Sequence, residues 1–96
     1  MEHEGQKLKV EYGNYYDGRT AISLICDGGE DNGQPYMVAS LNLPEAMIKE
    51  NQVVIKSYAE NEGILEVLEE EGIIERTDYF VIIGHTRNFI CNILKK

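Results

Sequence analysis

Short stretches of alternating polar and apolar residues, cut by turn formers, limit the folds open to this chain more than any other feature. Period-two alternation is what a strand with one buried face produces, because successive side chains point to opposite sides of the pleat. Lys7 to Tyr12 reads Lys, Leu, Lys, Val, Glu, Tyr, which sets Leu8, Val10 and Tyr12 on one face. Asn14, Asp17 and the glycines at 13 and 18 make the turn that follows. Thr20–Cys26 is apolar on both faces and β-branched at Thr20, Ile22 and Ile25, the pattern of a central strand covered on both sides. A polar loop from Asp27 to Pro35 leads to a third strand, Tyr36–Leu41, expected to pair with the second. Asn42-Leu-Pro44 ends that strand, since proline has no amide hydrogen for a ladder. Glu45–Glu50 reads as an irregular or one-turn helical connection. Gln52–Lys56, centred on Val53, Val54 and Ile55, is a fourth strand. Asp78–Ile83 and Phe89–Leu94 are the last two, joined by a loop over Gly84–Asn88.

One segment has a different period. From Asn61 to Glu71 the apolar residues Ile64, Leu65, Val67 and Leu68 recur at helical spacing. Asn61 is of the type that caps a helix N-terminus, and Gly72 is placed to close the C-terminus. The order β-β-β-β-α-β-β predicts an α+β fold, a largely antiparallel sheet of about six short strands packed against one main helix. Ninety-six residues make a single domain, with residues 1–6, His3 included, expected to be flexible. The acidic, polar start is unlike a signal peptide, and the apolar runs are too short to span a bilayer. A cytoplasmic protein is expected.

Charge is distributed unevenly. The chain has 17 acidic and 9 basic residues, a formal net charge of −8, which argues against direct contact with nucleic-acid phosphates or anionic membranes. Seven of the acids, Glu60, Glu62, Glu66, Glu69, Glu70, Glu71 and Glu75, fall between Ser57 and Glu75, where there is no Lys or Arg. Several crowd the end of the predicted helix, where the backbone dipole is already negative and a carboxylate is disfavoured by roughly 0.3–1 kcal/mol. Like charges four residues apart, such as Glu62 with Glu66 and Glu66 with Glu70, add repulsion. One account is a negative face that meets a basic protein, in one version by imitating nucleic-acid phosphates. The other is a solvated face, or one neutralised by Lys and Arg from a neighbouring strand. Glu62, Glu66, Glu69, Glu70 and the adjacent Tyr58 are the candidate partner-binding residues.

Signals for catalysis are weak. Paired catalytic carboxylates need unlike environments, and these acids share one exposed run. Cys26 and Cys91 each sit in an apolar run and read as buried thiols, inert as nucleophiles. His85 lies in a loop away from any metal-ligand spacing, so neither metal nor cofactor is expected. The Asp27–Gly33 loop has glycines but no phosphate-binding motif, and its own acids would repel phosphate. Most of the six tyrosines are expected to be core residues.

Three stretches, Ser40-Leu-Asn-Leu-Pro44, Glu50-Asn-Gln-Val-Val-Ile-Lys56 and Tyr58-Ala-Glu-Asn-Glu-Gly63, resemble a family of small bacterial domains of unknown function, frequent in gut anaerobes and often carried on mobile genetic elements. Glu70-Glu-Gly72 matches the helix end of that family. The resemblance implies a plasmid, transposon or phage setting, in which small acidic proteins often inhibit host defence or regulate transfer. The expectation is a non-enzymatic accessory protein that acts by protein–protein binding. Alternatives are a small-molecule-binding domain using the tyrosines and the Asp27–Gly33 loop, or a structural homo-oligomer, a dimer for instance, joined through an uncovered sheet face or edge.

Overall fold

The computed structural model describes residues 1–95. In chain order the elements are β1 (Glu2–His3), β2 (Gln6–Asn14), β3 (Thr20–Cys26), β4 (Pro35–Val38), β5 (Ser40–Leu41), β6 (Gln52–Ile55), a 3-10 turn (Ala59–Asn61), α1 (Ile64–Glu70), β7 (Ile74–Ile83) and β8 (Thr86–Ile93). The fold is α+β, with two four-stranded antiparallel sheets, β1-β2-β3-β4 and β5-β6-β8-β7.

The alternation on β2 places Leu8, Val10 and Tyr12 on the core side as read, whereas β3, expected to be covered on both faces, is buried on one and only half-buried on the other. On β3, Thr20, Ile22, Leu24 and Cys26 are buried and the residues between them are not. Across the ladder Leu8 faces Cys26, Val10 faces Leu24 and Tyr12 faces Ile22, so one face of the hairpin is apolar. β3 is central, with β2 and β4 on either side.

The third expected strand divides in two. At Val38 the chain still pairs with Ser23 of the first sheet; at Ser40 it pairs with Ile55 of the second. Ala39 belongs to both: its amide donates to the Ile22 carbonyl and its carbonyl accepts from the Lys56 amide, each at 2.8 Å. A strand that changes sheets loses ladder partners, and buried polar groups left unpaired are costly. Side chains replace them here. The Ser40 hydroxyl accepts from the Ile22 amide at 2.9 Å and exchanges a 2.7 Å hydrogen bond with the Tyr15 hydroxyl. Asn61 donates from Nδ2 to the Val38 carbonyl at 2.8 Å.

That contact corrects the role of Asn61. α1 begins three residues later, after Gly63 in a left-handed conformation, and no side chain caps it. Asn61 is fully buried and serves the strand bend. The other end follows expectation: Gly72, at φ 70°, lets its own amide reach the Glu69 carbonyl and the Ile73 amide reach that of Leu68. This is a Schellman closure, with Leu68 and Ile73 as its apolar pair.

α1 places Ile64, Leu65 and Leu68 in a core shared with Leu8, Ile22, Leu24, Ala39, Val53, Ile55, Ile74 and Cys91. Residues 1–6 form a hairpin arm in place of the expected flexible lead. Glu2 pairs with Lys7, and His3 is buried with its ring edge-on to Tyr36 at 6.4 Å. The last loop is only Gly84–His85, since Thr86 already pairs with Ile83.

Ser40→Ala is expected to destabilise the fold by about 1–3 kcal/mol, because the buried Ile22 amide loses its acceptor. Tyr15→Phe, which leaves that acceptor in place, is expected to cost less. Urea unfolding of both variants checks the order.

Candidate functional site

The acidic segment runs through the 3-10 turn and α1 to the start of β7. Tertiary structure brings it the cations it lacks in sequence. Arg76 on β7 forks onto Glu69, with Nε 2.9 Å from Oε2 and the terminal nitrogen 2.7 Å from Oε1. The guanidinium also lies over the Phe89 ring, 5.0 Å from its centre. The hydrogen bonds from Arg76 hold the Glu69 carboxyl below its ordinary range, and Glu69 in turn raises Arg76. Lys56 binds Glu60 at 2.8 Å and sits 5.0 Å over the Tyr58 ring. Lys95 donates to the Glu71 carbonyl at 3.1 Å, where the negative end of the helix dipole favours a cation. The chain's amino terminus is 3.6 Å from the Glu71 carboxylate.

The five candidate residues therefore divide. Glu69 is half-buried and occupied by Arg76, so a partner would have to displace that guanidinium to use it. Tyr58 is half-buried beneath Lys56. Glu62, Glu66 and Glu70 are exposed and spaced every fourth residue. Among the described residues no cation lies within 4.0 Å of Glu62 or Glu70, and Glu66 has only Arg76 at that limit.

Among the described residues the tyrosines and the Asp27–Gly33 loop are divided between separate hollows. Gly33 and Tyr36 border an open hollow of about 310 Å³ on the outer side of β3 and β4, and Asp27–Gly29 border a different one with Gly5–Lys7. Tyr58 borders neither. The tyrosines correct their expected placement: none is fully buried, and Tyr16 and Tyr79 are exposed. Cys26 and Cys91 are buried free thiols, as expected. Burial pushes Cys91 up to about 12, with the charge of Glu69 adding to the effect. Among the described residues no group of three His, Cys, Asp or Glu side chains is arranged to hold a metal ion, and no helix is long and apolar enough to cross a membrane.

Two arginines and a bulge escaped the sequence reading. Arg19 donates to the carbonyls of Leu43 at 2.7 Å and Ala46 at 2.9 Å, tying down the connection after β5. Neither it nor Arg76 has a periodic relation to its partner. On β7, Arg76 pairs with Cys91 and Phe80 with Phe89, so Thr77, Asp78 and Tyr79 stand against Ile90 alone. The Thr77 hydroxyl closes this bulge, donating to the Ile90 carbonyl at 2.7 Å and accepting from the Tyr79 amide at 3.1 Å. Bulges re-aim side chains. Here Tyr79 is turned outward beside the exposed Met47, over a groove of about 480 Å³.

Comparison with protein-family models, with curated proteins and with solved structures finds no match to this chain.

A folded-state carboxyl held low contributes stability above its unfolded value, and that contribution is lost as pH falls through the folded value. Glu69→Gln is thus expected to cost about 0.5–1 kcal/mol near neutral pH, with the gap to the parent closing once pH falls below the glutamate range, about 4. A gap of equal size at both ends, measured by urea unfolding, would contradict this role for Glu69. In a Cys26→Ser variant, Cys91 is expected to resist a thiol reagent at neutral pH and to react at once in denaturant.

Proposed function

We propose that this chain is a non-catalytic, acidic accessory protein of a bacterial mobile element that works by binding a basic surface on another protein. The supporting observation is the exposed set Glu62, Glu66 and Glu70: among the described residues no cation lies within 4.0 Å of Glu62 or Glu70, and Arg76 reaches Glu66 only at 4.0 Å while it forks onto Glu69. Glu66 and Glu70, four residues apart on α1, repel each other, and Glu62 adds its charge just ahead of the helix, before Gly63. A surface lined with Lys and Arg relieves that repulsion, steers the encounter and makes binding weaken as salt rises. A row of carboxylates presents charge in the manner of a nucleic-acid backbone, so a basic nucleic-acid-binding groove is the kind of surface it fits. An inhibitor of host defence would act by occupying such a groove. The mobile-element setting rests on the resemblance carried by Ser40–Pro44, Glu50–Lys56 and Tyr58–Gly63.

The test is calorimetric titration against nucleic-acid-binding nucleases of host defence at low and high salt, about 0.05 and 0.5 M. The triple variant Glu62→Lys, Glu66→Lys, Glu70→Lys is expected to lose binding by about tenfold or more, roughly 1.4 kcal/mol. Affinity that ignores both the salt and the triple change overturns the proposal.

A further inference from the structure

The two sheets have four edges, and three are blunted. β1 and β5 are two residues each, the part of β2 that β1 leaves uncovered carries the charges of Lys9 and Glu11, and β4 is four residues long, opens on Pro35 and bends away at Ala39. Short strands, proline and bends are the usual guards against edge-to-edge pairing. The fourth edge is β7, ten residues long. Its first turns lie beside α1, where Arg76 meets Glu69. From Tyr79 to Ile83 it carries five apolar residues in a row, with no charge and no proline. Tyr79 is 73% exposed and Ile82 62%. Among the described residues no strand pairs with β7 on that side.

The hairpin tip decides which backbone groups are free. Ile83 and Thr86 flank a two-residue turn, so they exchange hydrogen bonds with each other. Pairing alternates along an antiparallel ladder, so Val81 also turns inward and Phe80 and Ile82 turn outward. The Val81 carbonyl, 3.4 Å from the Asn88 amide nitrogen on β8, agrees with that phase. The open edge therefore offers the N–H and C=O groups of Phe80 and Ile82.

We propose that this edge pairs antiparallel with the same edge of a second copy, about a two-fold axis at Val81. Phe80 then faces Ile82 of the other copy, and Ile82 faces its Phe80, so all four free N–H and C=O groups find partners. Both residues lie on one face, where Phe89 packs on Phe80 at 5.6 Å and the Arg87 guanidinium sits 4.9 Å from the Phe80 ring. Charge favours this orientation. The Asp78 end of each strand approaches the other copy's hairpin tip, whose nearest charge is Arg87. The two acidic helices point to opposite ends: five residues separate Arg76 from Val81, which places the two Arg76 positions about 30 Å apart. That exceeds the screening length of roughly 8 Å, so copies each carrying −8 associate here without opposing their acidic faces. A parallel pairing would set the helices side by side and Asp78 against Asp78. The contact is small, so a dimer with a dissociation constant on the order of micromolar is expected.

Sedimentation velocity over a concentration series tests the stoichiometry. The parent chain should pass from monomer to dimer, and Ile82→Lys, a change at an exposed position, should weaken the dimer by about tenfold or more. Disulfide trapping tests the register independently. Val81→Cys, whose side chain meets its own symmetry mate, should cross-link under mild oxidation. Tyr79→Cys alone should not, whereas Tyr79→Cys mixed with Ile83→Cys should. A monomer at millimolar concentration, a dimer indifferent to Ile82→Lys, or cross-linking that does not centre on Val81 overturns the proposal. The Glu62, Glu66 and Glu70 variants should leave the dimer intact, so this result stands or falls separately from binding through the acidic row.

Discussion

Ala39 is hydrogen-bonded to both sheets, and the rest of the molecule depends on how the backbone around it is satisfied. A strand that leaves one ladder for another exposes amides and carbonyls in a region with little water, where each unpaired group costs more than an ordinary hydrogen bond returns. Ser40 takes the Ile22 amide and Asn61 takes the Val38 carbonyl. Asn61 is also the last residue of the 3-10 turn before α1. The side chain that completes the bend therefore also holds the chain where Ile64, Leu65 and Leu68 drop between the sheets. Bend, helix position and core are one arrangement.

β7 is the second organising element, and its bulge divides it by chemistry. Below Thr77 it serves the acidic helix, through Arg76 and Glu69. Beyond Tyr79 it is an apolar edge with no charge until past the hairpin tip. The Thr77 hydroxyl stabilises the break in register that separates the two regions. The ion pair with α1 and the open apolar edge thus occupy opposite ends of one strand.

The acidic helix is less at odds with local electrostatics than its sequence implies. Glu69 is paired, the last carbonyls are met by the Gly72 closure and by Lys95, and Glu60 is held by Lys56. Among the described residues the acids of the segment with no cation within 4.0 Å are Glu62, Glu70 and Glu75, with Glu66 at that limit from Arg76, a narrower feature than all seven.

What the sequence determined by itself is whatever depends on near neighbours along the chain. Alternation at Leu8, Val10 and Tyr12 and across β3 specifies strand faces, the spacing of Ile64, Leu65 and Leu68 specifies a helix, and Gly72 specifies its end. The apolar settings of Cys26 and Cys91 specify burial. Only the tertiary structure decided that one expected strand would serve two sheets, that Asn61 would be a strut instead of a cap, that residues 1–6 would pack as a hairpin arm, and which acids would meet Arg76. Those outcomes turn on pairs such as Asn61 with Val38, 23 residues apart, or Arg19 with Leu43, 24 apart. A periodic pattern reports the average direction of a side chain; it carries no record of which distant backbone group will be left unpaired at that spot. The edge of β7 belongs to the same class, since its apolar residues are plain in the sequence and its lack of a neighbour is a property of the assembled sheet.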